Sequence, residues 1–336
     1  MTTFFLNRLA AEPHALAFAG QSTPWPVALA DQTTDPSLDE ALRGHVAAAG
    51  RLLTPVAADL LATTGRPVDL FGFAPNPARL GAAADATASV EGVALTQLGA
   101  LLDLEHLGYS VAQAKPLAVL GHSQGVLAVH MTRAIEAAGS IEAAGTTLDE
   151  ILAVAALIGA AGTRRVRELG LNPKYGEASP MLSVKGATRA QVEALVARVN
   201  NARGPISIAV TNSDNHHVLS GYPEDLAAFA LEAEREHQHQ AKLREQKLHG
   251  GTVFNPTLEY LEVTLPFHSP LMAEAVSRPC LGLAPAALTR IAPAHSLRKC
   301  CSTMWTGMPA SRRCSTPPTR PSCGSWTSAP ATRSAS

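Results

Sequence analysis

The feature that most constrains this chain is a continuous apolar run at residues 116–120. It leads directly into Gly121-His122-Ser123-Gln124-Gly125, and a helical pattern follows at residues 126–138. A Gly-x-Ser-x-Gly sequence between a buried strand and a helix predicts a nucleophile elbow. The glycines permit a sharp turn and close packing, and the serine hydroxyl stands at the head of a helix whose amides and dipole favour negative charge. A strand apolar on both faces belongs in the centre of a parallel sheet, which makes the expected class α/β.

The rest of the chain fits that class. Residues 14–19 form a second short apolar run closed by Gly20-Gln21, expected as a strand opening a turn. Helical spacing is predicted over residues 39–64 and 94–107. Residues 181–265 have another rhythm: strands at 181–184, 206–210, 217–220 and 261–265, with helices at 189–199 and 223–235. The order β-α-β-β-α-β is the ferredoxin-like pattern, here inserted into the larger unit. The charged stretch 232–247 is expected as a solvated helix or loop face.

A serine hydroxyl needs a base to accept its proton as it attacks a carbonyl. Among the twelve histidines, His268 is the expected base, because Pro266-Phe267-His268-Ser269-Pro270 directly follows the last strand of the insert, where the chain returns to the main sheet. His122 is expected against the flank of the elbow. His216, His217, His237 and His239 are expected on loops or helix surfaces.

Charge and cysteines exclude several classes. A formal net charge of −1 offers no basic field for nucleic acid or anionic lipid. Residues 1–12 hold no signal-peptide core, and no run approaches the roughly 20 apolar residues of a membrane span, so the expectation is a cytoplasmic protein without a membrane partner. All 5 cysteines, Cys280, Cys300, Cys301, Cys314 and Cys323, lie in the last fifth of the chain without metal-site spacing, and no metal is expected.

From Ala275 onward there is no Asp or Glu, while Arg, Ser, Pro, Thr and Cys abound. One reading is a disordered basic tail; the other is a shifted reading frame. Met304-Trp305-Thr306 must be encoded ATG-TGG-ACN, and reading two bases along gives Val-Asp, restoring an acid and a β-branched residue. Residues 277–336 are therefore expected to be an aberrant, disordered tail.

Four ordered motifs carry a family resemblance: Phe18-Ala19-Gly20-Gln21, the run 121–129 reading GHSQGVLAV, the run 157–162 reading LIGAAG, and Pro266-Phe267-His268-Ser269. The chain from about residue 15 to 274 resembles the malonyl-CoA:acyl-carrier-protein transacylase family, and within it the N-terminal acyltransferase domain of actinobacterial type I fatty acid synthases. The resemblance implies an α/β-hydrolase-like core, residues 1–178 and 266–276, with a ferredoxin-like subdomain at 179–265. It implies ping-pong transfer of an acyl group from coenzyme A to Ser123, and then to the phosphopantetheine thiol of an acyl carrier protein, with His268 as base. The backbone amides of Gln21 and Gln124 would form the oxyanion hole, and Asn212 would line the acyl pocket. No bound cofactor is implied; the partners would be the carrier and the other domains of a type I synthase.

Two departures from the family pattern matter. Malonyl-selective members place an arginine before a glycine where Ile158-Gly159 stands here. An apolar residue would leave a malonyl carboxylate unpaired, so acetyl or another neutral acyl group is favoured and malonyl is the alternative. In relatives a backbone carbonyl some 50 residues downstream orients the imidazole, and a late strand completes the sheet; both would fall in the altered tail. Weak activity is therefore expected of this chain. A serine thioesterase or esterase, and an inactive truncated synthase fragment, remain as competing readings.

Overall fold

A computed structural model describes residues 11–21, 24–64, 86–171, 178–199, 205–247, 253–273 and 275. The calls on the tail, residues 277–336, and on all five cysteines lie outside the described residues.

Strand β1 (Ala15–Phe18) pairs in parallel with β2 (Ala118–Gly121), in a register that sets Phe18 beside Gly121. Between them come α1 (Trp25–Gln32), α2 (Pro36–Leu53), a 3-10 turn (Thr54–Val56), α3 (Ala57–Thr64), α4 (Ala86–His106) and the short α5 (Val111–Ala114). After β2 follow α6 (Val126–Ala138) and α7 (Ile141–Glu168). The Asp35 carboxylate accepts from the amides of Ser37 and Leu38 and caps α2; Ser140 caps α7 in the same way. Gly139 at φ +85 ends α6 in the left-handed conformation that glycine adopts without strain.

Helix α4 is buried on nearly every side from Ala86 to Leu102 and packs most extensively on α7. Close approach explains its glycines: a Cβ at Gly92 would lie 2.4 Å from the ring of Trp25, itself 2% exposed. By length and composition α7 has a stretch apolar enough to cross a membrane, which corrects the expectation that no such run exists. Its apolar residues are instead packed in the main core between Ala153 and Ala161, as in the core helix of a globular domain.

The second sheet comprises β3 (Met181–Lys185), β4 (Ser207–Ser213), β5 (His216–Ser220) and β6 (Thr257–Tyr260), joined through α8 (Arg189–Val199) and α9 (Pro223–Glu245). The order is β4-β5-β3-β6, and every pairing is antiparallel. One face buries Leu182, Val184 and Leu219 against Val192 and Leu195 of α8 and Leu226 and Phe229 of α9. The other face contributes Met181 and Val218 to the main core.

Three expectations need correction. The last strand is Thr257–Tyr260, not residues 261–265; Val263 and Leu265 are buried in the main core as the chain returns, and that alternation resembles a strand's. Helix α9 runs ten residues past the expected end, so most of the charged stretch is its solvated second half, where Arg198 bridges Glu232 and Glu236. Strand β2 is not fully buried: Leu120 is 58% exposed and Leu117, just before it, 79%, and among the described residues β1 is its only strand partner.

Candidate active site

The elbow is shaped by contacts that exclude side chains. A Cβ on Gly121 would meet the Gly125 carbonyl at 2.5 Å, one on Gly125 would meet the Phe18 carbonyl at 2.3 Å, and one on Gly20 would meet the His122 carbonyl at 2.7 Å. The backbone of the Gly20-Gln21 turn therefore lies directly on the turn that carries the serine. Ser123 itself has φ +52 and opens a 3-10 turn (Ser123–Gly125) that runs into α6. That conformation costs a non-glycine residue about 1–3 kcal/mol and persists only where its surroundings fix it.

His268 has φ +55 and is strained in the same sense. The turn after it is held from two sides. Buried Ser269 accepts from the Leu271 amide at 3.1 Å, and Arg165 Nε of α7 donates to the Leu271 carbonyl at 2.8 Å. The outcome is one short contact across 145 positions of sequence: Ser123 Oγ and His268 Nε2 are 2.8 Å apart. A serine and an imidazole at that distance, with the hydroxyl at a helix head, can attack a carbonyl carbon while the proton passes to the ring.

The other expected residues are distributed around this pair. Gln124 is fully buried, and its side-chain oxygen accepts from the Gln21 amide group. Asn212 reaches the elbow from the second sheet, its Oδ1 lying 3.1 Å from Nε2 of His122. His122 thus bridges the elbow to β4. Ile158 lies buried (4% exposed) in α7, next to Gly159, whose Cα packs on Ala86 and Thr87 of α4. Arg164 and Arg165, the cations nearest in sequence, are both engaged by Glu168.

His216 and His217 are strand residues, correcting their assignment to loops or helix surfaces; His217 is fully buried, with Nδ1 at 3.2 Å from Thr211 Oγ1. His237 of α9 is hydrogen-bonded to the Phe254 carbonyl. Sequence reasoning missed Ser89 and Gln97, and the hold of Arg165 on the Leu271 carbonyl. The available signal was the polar set Thr87, Ser89, Glu91, Thr96 and Gln97 in the otherwise apolar α4, since buried polar groups need partners.

Residues 180–260 match the model of the fatty acid synthase central AT domain. The resemblance is to a fatty acid synthase acyltransferase domain. A fatty acid synthase beta subunit of Cochliobolus carbonum is 29% identical over 163 residues, 44% of this chain and 8% of that protein. Fatty acid synthase 2 of Mycosarcoma maydis is 29% identical over 168 residues, 47% of this chain and 4% of that protein. The chain therefore spans a small fraction of the relatives it matches. Among solved structures, a malonyl-transacylase in complex with a type II PKS acyl-carrier protein superposes with a TM-score of 0.50 at 14% identity, covering 80% of this chain and 68% of that one. That likeness is one of fold. The acyltransferase-like match covers the whole second sheet, which supplies Asn212, while the elbow and His268 lie outside it.

Proposed function

We propose that this chain is a serine acyltransferase of fatty acid synthesis that moves an acetyl or other neutral acyl group from coenzyme A to an acyl carrier protein. The observation that carries the reading is the 2.8 Å approach of Ser123 Oγ to His268 Nε2 at the tip of a strand–turn–helix elbow. Ser123 Oγ attacks the thioester carbonyl, His268 takes its proton, and the tetrahedral oxyanion faces the backbone amides of Gln21 and Gln124. Collapse expels the CoA thiolate, which takes the proton back from His268 and leaves as the thiol. The phosphopantetheine thiol of the carrier then attacks the Ser123 ester in the same manner. No bound cofactor takes part.

The unit fits an α/β-hydrolase-like core with a ferredoxin-like insert, whose four-stranded order and antiparallel pairing agree with that description. The domain limits proposed are 1–178 with 266–276 for the core and 179–265 for the insert. Apolar Ile158 and the ion pairs of Arg164 and Arg165 with Glu168 support the preference for a neutral acyl group in this reading. At the position of Ile158 a malonyl carboxylate would find an apolar side chain where a planar cation would pair with it. Carrier and synthase domains are the partners, and the cytoplasm the compartment, that this reading entails.

Intact-protein mass after brief incubation with acetyl-CoA, beside malonyl-CoA and a Ser123→Ala control, tests it. A serine-dependent acetyl adduct is expected. A malonyl adduct alone would overturn the acyl preference, and no adduct from either donor would overturn the function.

A further inference from the structure

Beneath the elbow lies a closed chain of side-chain hydrogen bonds. The Val90 carbonyl accepts from the Gln124 amide group, the Gln124 oxygen accepts from the Gln21 amide group, and the Gln21 oxygen accepts at 3.0 Å from the Ser89 hydroxyl. The chain begins and ends on adjacent residues of α4. Its direction is not free: a backbone carbonyl can only accept, which turns the Gln124 nitrogen toward Val90 and its oxygen toward Gln21. Gln21 must then present its nitrogen to Gln124 and its oxygen to Ser89, and only a hydroxyl donor completes the circuit. Gln97, two turns further along α4, donates to the Ala19 carbonyl at 2.7 Å and pins the start of the same turn.

We propose that Ser89 is a positioning residue that fixes the Gln21 and Gln124 backbone amides as an oxyanion hole. The proposal rests on the acyl-transfer reading for its substrate, but its geometry concerns any tetrahedral adduct of Ser123. Gln124 is fully buried and has no water to replace a lost partner. Gln21 sits on a turn whose neighbouring residue, Gly20, packs its Cα against Ser123 and the Gln124 amide. Held at both atoms of its side-chain amide, Gln21 anchors the Gly20-Gln21 turn on the elbow, and a turn released from that anchor shifts the Gln21 backbone amide away from the position the oxyanion will occupy. Loss of the Ser89 hydroxyl leaves the Gln21 oxygen without this donor and loosens the anchor of that turn.

The test separates positioning from packing and from the identity of the acyl donor. Full-length wild type, Ser89→Ala and Ser89→Thr are treated with an alkyl fluorophosphonate. Ser123 Oγ forms a bond to phosphorus, fluoride leaves, His268 takes the serine proton, and the phosphoryl oxygen needs the same amides. The expected result is a maximal labelling rate at least about tenfold lower in Ser89→Ala with the half-saturating probe concentration unchanged, and recovery to within about threefold in Ser89→Thr. That is smaller than the 10²–10³-fold loss on deleting a hole donor outright. Equal rates in Ser89→Ala and wild type, equal losses in both variants, or no labelling of wild type would each overturn the proposal. Parallel incubation with acetyl-CoA and with malonyl-CoA keeps the two readings apart: labelling with no adduct from either donor overturns the acyl-transfer function and leaves the Ser89 comparison decisive.

Discussion

Gly125→Ala sets two physical effects against each other at the elbow. Gly125 has φ −54 and ψ −15, ordinary helical values that alanine adopts freely. Propensity alone would therefore stabilise the variant by up to about 1 kcal/mol. Sterics oppose this: the new methyl would lie 2.3 Å from the Phe18 carbonyl oxygen, 2.8 Å from that of Ala19 and 2.9 Å from the Phe18 carbonyl carbon. All three are backbone atoms of β1 and the residue after it, so no side chain can rotate away. To restore even a 3.0 Å approach, β1 must retreat by about 0.7 Å, well inside ordinary carbon contact distance. Overpacking of that kind costs about 1–3 kcal/mol, which offsets or exceeds the propensity gain and leaves a net loss of up to about 2 kcal/mol. The displacement also reaches Gly20-Gln21, which continues from β1 toward the oxyanion. A misplacement approaching 1 Å is worth about 10²-fold in rate. Urea unfolding and the rate of Ser123 acylation measure the two effects separately. A variant that is more stable than wild type and acylates within about threefold of its rate would refute the argument that backbone crowding shapes the elbow.

Gly145→Ala is the contrasting case: this α7 glycine has nothing within 4 Å of its would-be Cβ, so unfolding should show a gain of about 0.5–1 kcal/mol, and a loss would contradict the open surroundings. Arg165→Leu removes the donor to the Leu271 carbonyl, and the acylation rate should fall about tenfold or more while far-UV circular dichroism is unchanged; a wild-type rate would show that this bond does not hold His268. Burial lowers the pKa of His130, and burial with the nearby Lys185 and His217 lowers that of His216. Their stabilisation is complete above the unfolded value of about 6.5 and is lost as pH falls through the depressed folded values, because the unfolded chain takes up protons first. The urea midpoint should therefore drop between pH 7.5 and 5, and less steeply in His130→Gln; a midpoint that rises on acidification would reverse the sign.

Local pattern carried much of this fold. Residues 126–138 and 189–199 stand as helices with the bounds that apolar spacing predicted, because each has one buried face, and the first ends at Gly139. The pairing of Ser123 with His268 was legible because the elbow and the Pro-Phe-His-Ser segment each have a local sequence signature. The brace from Ser89 and the clamp from Arg165 were not, since both depend on which helix passes behind the elbow, a fact of packing that no short window contains. The displaced last strand has a related cause: Val263 and Leu265 are buried in the main core and alternate as a strand would, yet among the described residues no strand pairs with them.

The two residues proposed to carry the chemistry are both held at positive φ, +52 and +55, at about 1–3 kcal/mol each. Against a typical domain stability of about 5–15 kcal/mol, that strain is substantial and must be opposed by rigid neighbours. Helix α4 stands behind the elbow through Ser89, Val90 and Gln97, and α7 stands behind the base through Arg165. These two helices also share the most extensive contact in the main core. Buttressing the serine and buttressing the histidine are thus one mechanical problem, solved by a single helix pair. A cavity in the main core on α4, as in Leu98→Ala, a fully buried residue, should then lower the acylation rate at temperatures where the protein is still folded, although Leu98 forms no hydrogen bond at the site. The large-to-small change costs about 2–5 kcal/mol, and an acylation rate unchanged in the folded variant would mean that the two braces act independently.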